Sequence, residues 1–415
     1  MSDAELDGTP SEPSVATPGG PKRRGKVRKR HTVGKVLLAS IVVLALATGL
    51  SVVFLYRHLN GNLQVLDPTS QLSNRPEKAV VEGPREPLNV LVMGSDSREG
   101  AGNNIDGLTG GGERSDTTIL MHLSADRKRA YGISVPRDLL VDRPDCKKKD
   151  GTTIPGATQV MWNEAFALGG PACTIQQFEQ VSGIRLDHFV VVDFEGFRGM
   201  VDAIGGVEVC IPEDIDDPAH AIHISAGTRK LKGKQALNYV RERYVVGNGS
   251  DVGRMKRQQA FIASMAHQVV TAGTLARPDR LVRFLDSATK SLTVDPGLKN
   301  VVKLAKLGDQ FKGIGLDNIQ FITIPIITAP TDPNRLAFQQ PEADQVWRKV
   351  RKDKPLTKRL STDVISAGDL PGKGESSSPS ADPSSSPSGS PSSTPSSSAE
   401  DEASKQALAD AGLCV

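Results

Sequence analysis

The sequence predicts an α/β domain with a mixed central sheet flanked by helices, preceded by one membrane-spanning helix and framed by disordered tails. Three observations carry this. Short apolar runs of strand length alternate with longer helical stretches between residues 87 and 326, the interleaving that builds an α/β domain. A run of 21 residues, 36–56, has no charged side chain. Both ends are rich in Pro, Gly and Ser, and only 38% of the 415 residues are hydrophobic, so part of the chain lies outside any core.

Residues 1–35 are polar and hold eight Lys/Arg against four Asp/Glu, which marks a disordered basic cytoplasmic tail. Against the formal net charge of +3, that local excess of +4 leaves −1 for the rest. The basicity is therefore local, and no nucleic-acid partner is expected. As a helix, 36–56 reaches about 31 Å at ~1.5 Å per residue, matching a bilayer core. A cleaved signal peptide would have a shorter apolar region and a small-residue cleavage site; here YRHLNGN follows. The cations precede the run and Arg57 is the first after it. The positive-inside rule then puts the N-terminus in the cytoplasm and the main domain outside a cell membrane crossed once.

Residues 57–86 read as a polar linker, and the folded domain is expected over 87–350. LNVLVMG (88–94) has a buried-strand pattern. TTILMHL (117–123) and RAYGISV (129–135) flank SADRK, an antiparallel hairpin. A helix is expected over 171–183, a strand over 188–194, a helix over 195–204 and a strand over 207–211. Helices over 252–272, 278–291 and 296–311 and a strand over 319–326 complete the domain. Residues 351–415 are taken as a disordered tail, because ESSSPSADPSSSPSGSPSSTPSSSA (375–399) cannot bury a core.

The four cysteines, Cys146, Cys173, Cys210 and Cys414, suit disulfides in an external domain. Three pairings are possible; Cys146–Cys173, bracketing a loop-rich insertion, is preferred. His220 and His223 in HAIH are a weak metal signal. There is no P-loop, HExxH or GxSxG.

The densest chemistry lies in YVRERYVVGNGSDVGRMKRQQ (239–259). In an extended segment Arg241 and Arg243 share a face, with Glu242 opposite. After a Gly-rich break, Ser250 or Asp251 would cap a helix. On that helix Arg254, Arg257 and Gln258 fall at i, i+3 and i+4. Arginines in isolation make a solvated basic face. Two groups folded together across a turn instead make a pocket for a multiply charged anion, which guanidinium binds bidentately. GSDSR (94–98), RSD (114–116) and SVPRD (134–138) end or begin the first three strands. Antiparallel pairing brings those ends to one sheet edge, gathering Asp96, Asp116, Arg98, Arg114 and Arg137. Two carboxylates beside a phosphate-binding cluster suit Mg²⁺, which takes one or two carboxylates plus substrate phosphates.

These segments, together with NEAFALGGP (163–171), DHFVVVDFEGF (187–197) and GGVEVCIPEDI (205–215), resemble the LytR-CpsA-Psr family, in order from about residue 88 to 272. The resemblance implies a membrane-anchored, extracytoplasmic α/β/α domain with an apolar lipid tunnel. It implies transfer of a glycopolymer from a polyprenyl-pyrophosphate carrier to peptidoglycan through a phosphodiester link. On it, Asp96 and Asp116 match metal-binding positions. Arg114, Arg137, Arg241, Arg243, Arg254 and Gln258 match pyrophosphate-contacting positions, with Arg98 and Arg257 added as candidates. Asp251 matches an acidic site position. Asp96, Asp116, Asp251 and Arg137 are the catalytic candidates. The family's K-x-N-A-A segment is VMWNEA here, keeping Asn163. A pyrophosphatase acting on polyprenyl diphosphates would need the same residues with water as acceptor. A non-catalytic lipid- or wall-binding module is a third reading. A transcriptional regulator would need a helix-turn-helix, which the sequence lacks, and a place inside the cell.

Overall fold

A computed structural model describes residues 32–95, 115–242, 245–271, 277–311, 313–360, 364–370 and 399–414. The chain divides into two units, Met1–Phe54 and Leu55–Val415. In the first, the described residues belong to helix α1 (Thr32–Asn62), whose last eight residues lie in the second unit. Its span Val33–Asn62 has a mean hydropathy of 2.6 and is long and apolar enough to cross a membrane. The apolar character of this span comes from an uncharged Leu/Val/Ile/Ala run, exposed over residues 36–54.

The second unit is built on an eight-stranded mixed sheet. Its strands, in chain order, are β1 (Gln64–Val65), β2 (Leu88–Ser95), β3 (Ser115–Leu123), β4 (Ala130–Val135), β5 (His188–Asp193), β6 (Leu292–Val294), β7 (Ile319–Thr323) and β8 (Ile365–Ser366). Their spatial order is β1-β6-β5-β2-β3-β4-β7-β8. β2, β3 and β4 run antiparallel in sequence, as the hairpin reading predicts, while β5 joins β2 and β7 joins β4 in parallel. All six residues of β4 are buried, as expected of a strand near the centre of a sheet covered on both faces.

One face is covered by α2 (Glu164–Ser182) and α8 (Glu342–Arg351). Phe166, Ile175, Phe178, Val346, Trp347 and Val350 pack there on Leu91, Met93, Leu120 and Ile133. The other face carries α5 (Asp251–Thr271); α4 (Gly233–Arg241) packs on α5, α3 (Phe194–Ala203) on α4 and α6 (Pro278–Ser291), and α7 (Val301–Asp309) follows in the chain. Ala260 and Ala263 of α5 meet Leu123, Ala130 and Phe321 there, and small side chains let the helix approach closely. Gln259, wholly buried, donates from Nε2 to Ser134 Oγ (2.8 Å) and Thr323 Oγ1 (3.0 Å), fixing α5 along β4 and β7.

The structure corrects several expectations. α2 starts at Glu164, seven residues before the expected helix, with a break at Gly170 (φ 63°) next to Pro171. The strand Val207–Ile211 pairs with Gly227–Leu231 as a separate hairpin and does not join the central sheet. Residues 57–86 are more than a linker. Leu59 is buried, Asn60 Oδ1 accepts from the Val301 amide (2.8 Å), and Arg75 pairs with the buried Glu179. Residues 351–415 are not wholly a tail: Leu360, Ile365, Ala367 and Leu370 are core residues. After 371–398, which lie outside the described residues, helix α9 (Ala399–Asp410) and Leu413 pack on the domain.

Both disulfides form, Cys146–Cys173 and Cys210–Cys414, with Cα atoms 5.3 and 5.8 Å apart. His220 and His223 pair with Asp217 and Asp216, and among the described residues no group of three His, Cys, Asp or Glu could hold a metal.

Candidate functional site

The site forms where β2, β3, β4 and β5 end together. Ser95 lies opposite Ser115 and beside Asp193, and Thr118 lies opposite Val135, so Arg137 follows directly at the same edge. Asp116 follows Ser115 on β3. Asp96, Arg98, Arg114 and Arg243 lie outside the described residues.

Arg137 is held in place from two sides. Its carbonyl accepts the Asn163 amide at the start of α2 (3.2 Å), and the Trp162 amide bonds Leu139 O (2.8 Å). Its guanidinium lies 3.3 Å from Asp138 Oδ2 and 3.6 Å from Asp251 Oδ2. Asp251 opens α5. The cap is Ser250, whose Oγ accepts the Gly253 amide (3.0 Å) and whose carbonyl accepts the Arg254 amide (3.1 Å). One turn into the helix, Arg254 Nη2 lies 2.8 Å from Asp251 Oδ1. Arg254 is 3% exposed. Asp251 thus stands between two guanidiniums from different elements, Arg137 after β4 and Arg254 in α5.

Gln258, one further turn along, accepts from Thr117 Oγ1 (3.1 Å) on β3 and donates to Val240 O (3.1 Å) at the end of α4. It ties three elements of the site together. Arg241 sits in the last turn of α4, not in the extended segment that the sequence suggested. The segment GKQALNYVR places Ala236, Leu237, Tyr239 and Val240 on a buried helical stripe, so the 3.6-residue period overrides the alternation of RER. Its guanidinium carbon lies 4.9 Å over the Phe194 ring, which begins α3 beside the end of β5.

Arg257 is the clear correction. The sequence put it on the side of Arg254 and Gln258, but it is 1% exposed and turns away from the edge. Its Nη atoms donate to the backbone carbonyls of Glu242, Val246 and Ala411. Those bonds occupy the donors that phosphate would need. At i+3 the angular offset from Arg254 is large enough for one arginine to face the edge and the next to enter the core.

Asp138 is the residue the sequence did not single out. It follows Arg137, and burial first, then a hydrogen bond to Asp251, push its carboxyl up, against the pull of Arg137. The Asp251 carboxyl beside it disfavours a second negative charge there. No spacing rule connects residue 138 with 251, so only the fold brings this pair to light. Burial also pushes the Asp193 carboxyl up at the same edge, opposed by the amide of Gly196.

Beside the site lies a cavity of ≈ 550 Å³. Its wall is mixed: Val252, Ile322, Ile324, Ile326, Leu336 and Leu360 line it together with Lys256, Thr323, Gln339, Glu342 and Arg359.

A mixed α/β/α domain with arginines and carboxylates converging at the ends of its strands is the class that fold and site define. The chain belongs to the LytR_cpsA_psr family, whose pattern matches residues 55–352. It is 31% identical over 326 residues to the probable cell wall biosynthesis protein LcpB of Corynebacterium glutamicum, covering 76% of this chain and 70% of that protein. It is 25% identical over 329 residues to the polyisoprenyl-teichoic acid–peptidoglycan teichoic acid transferase TagV of Bacillus subtilis, covering 78% of each. The crystal structure of B. subtilis TagV shares the fold, with a TM-score of 0.50 at 23% identity over 66% of this chain and 99% of that one.

Proposed function

We propose that this protein transfers a glycopolymer from a polyprenyl-pyrophosphate carrier to peptidoglycan, forming a phosphodiester, on the outer face of the membrane in which α1 is anchored. The observation that carries this is the placing of Arg137, Arg254 and Arg241 by three separate elements around one strand edge. Cations from separate rigid elements suit an anion with several oxygens, such as pyrophosphate. Family membership and the transferase name of the relative TagV support the same reading.

The chemistry follows from the charges. An acceptor hydroxyl attacks the glycan-side phosphorus, the bond to the bridging oxygen breaks, and polyprenyl phosphate leaves. Arg137 and Arg254 stabilise charge spread over the phosphoryl oxygens. The hydroxyl proton passes to a carboxylate at this edge, and Asp251, between the two arginines, is placed to take it. The isoleucine and leucine side chains of the cavity beside α5 would meet the first isoprenoid carbons, and Lys256 and Arg359 in the same wall would face the charged head. Asp96 and Asp116 would hold Mg²⁺. Asp116 lies on β3 beside Ser115, at the edge where β2 and β3 pair, and Asp96 follows Ser95 in the sequence. Mg²⁺ takes one or two carboxylates plus phosphate oxygens, and the ion would neutralise charge on the pyrophosphate.

The test is product identity. The full chain in detergent is incubated with a lipid-linked glycan and peptidoglycan, with and without Mg²⁺. Glycan linked to the wall through phosphate supports transfer. Free glycan phosphate would instead identify a pyrophosphatase, and binding without turnover would leave a lipid- or wall-binding module.

A further inference from the structure

The last residues of the chain reach the candidate site, although a Ser/Pro-rich stretch separates them from the rest of the domain in sequence. We propose that residues 399–414, fastened by Cys210–Cys414, form a strap that sets the position of residues 245–250 and of the start of α5. The strap is therefore a positioning element for pyrophosphate binding, in an inference that rests on the function proposed above.

The contacts are specific and mostly backbone. The Asn248 amide donates to Asp410 O (2.8 Å), and Arg257 Nη1 donates to Ala411 O (2.9 Å). The same guanidinium bonds the carbonyls of Glu242 and Val246. One buried cation thus holds Glu242, Val246 and the strap together. Arg254, Asp251 and Arg241 flank this junction in sequence, and Arg257 and Arg254 share one turn of α5.

The strap is shaped for the position. α9 ends with Gly412 at φ +69°, where its amide bonds Ala409 O (2.8 Å) and the Leu413 amide bonds Leu408 O (3.0 Å), a Schellman closure. Gly247, at φ +60°, lies so close that an added Cβ would sit 2.2 Å from Asp410 O. An added Cβ on Gly412 would sit 2.4 Å from Val246 Cγ1. Two glycines face each other because neither backbone leaves room for a side chain. Ala411 (0% exposed) and Leu413 (3%) then enter the cluster formed by Ala260, Ala263 and Phe321 beneath α5. Cys414 closes the arrangement on Cys210 of the Val207–Ile211 hairpin. A segment this short, joined through a Ser/Pro-rich stretch, would lose much of its local concentration without that bond.

The experiment compares four full-unit chains in detergent: wild type, the double variant Cys210→Ser/Cys414→Ser, a chain ending at Ser398, and Leu413→Ala with both disulfides intact. Hydrogen exchange is followed over 242–256 and over β2–β4. Affinity is measured with geranyl pyrophosphate and Mg²⁺. Exchange over 242–256 should rise about tenfold or more in the three altered chains, as expected for a locally opened segment, while β2–β4 stay within about twofold of wild type. Geranyl pyrophosphate should bind about tenfold more weakly. Unchanged exchange over 242–256 overturns the strap, and so does global loss of protection in Leu413→Ala, which would make the segment ordinary core. Faster exchange over 242–256 with undiminished affinity keeps the strap and removes the pyrophosphate reading.

Discussion

Arg254 Nη2 lies 2.8 Å from Asp251 Oδ1 within the first turn of α5, and Arg137 reaches the other carboxylate oxygen at 3.6 Å. The carboxylate orients both guanidiniums before any substrate arrives, which lowers the reorganisation needed at the moment of reaction.

Asp251→Asn keeps an oxygen for Arg254 and removes a negative charge beside the anion. Geranyl pyrophosphate binding should therefore hold or tighten. Turnover should fall by about a hundredfold or more, the usual contribution of a positioned proton acceptor. Binding assays and initial rates on one preparation check the split. Undiminished turnover would remove Asp251 from proton transfer.

Arg257→Met should act on stability. It deletes a buried cation that bonds three backbone carbonyls, of which Val246 O also accepts the Gly249 amide. Leaving such groups unpaired costs about 1–3 kcal/mol each before relaxation or entry of water. Denaturant unfolding should show a loss of about 3 kcal/mol or more. Arg257→Lys should rescue little of it, since one ammonium lacks the planar fork. A variant as stable as wild type would show that the carbonyls find other partners.

The burial and the bond to Asp251 that raise the Asp138 carboxyl above the ordinary 3.8 give a pH prediction. The folded state then holds a proton that the unfolded state has released. Stability from this group is complete below the unfolded pKa and is lost as pH rises through the folded pKa. Asp138→Asn removes that loss, so its melting temperature relative to wild type should be higher at pH 7 than at pH 4. An equal difference at both values would contradict the raised carboxyl.

The centre of the fold was legible and its edges were not. β2, β3, β4 and β5 are long, apolar and bounded by turn residues, so pattern alone placed them, and antiparallel pairing placed Asp116 and Arg137 at one edge. β1, β6 and β8 have two or three residues each and carry no period to read. α4 was missed because RER alternates, although the residues before it repeat helically. Arg257 could not be separated from Arg254 by spacing, because its partners are carbonyls supplied by Glu242, Val246 and the distant Ala411. The pair Asp138–Asp251 and the strap depend on contacts across more than a hundred residues, which no local rule detects.

The most direct measurement is the yield of wall-linked glycan phosphodiester from wild type and Arg254→Ala at equal lipid-linked glycan, with melting curves alongside. Arg254 contributes a charge-assisted bond, so its loss should lower the yield roughly ten- to a hundredfold, about 1.5–3 kcal/mol, at a temperature where the melting curves show both proteins folded; the melt itself falls, because a buried partner of Asp251 is removed. Equal yields from two folded proteins would show that the strand edge holding Arg137, Asp251 and Arg254 is not where the pyrophosphate reacts.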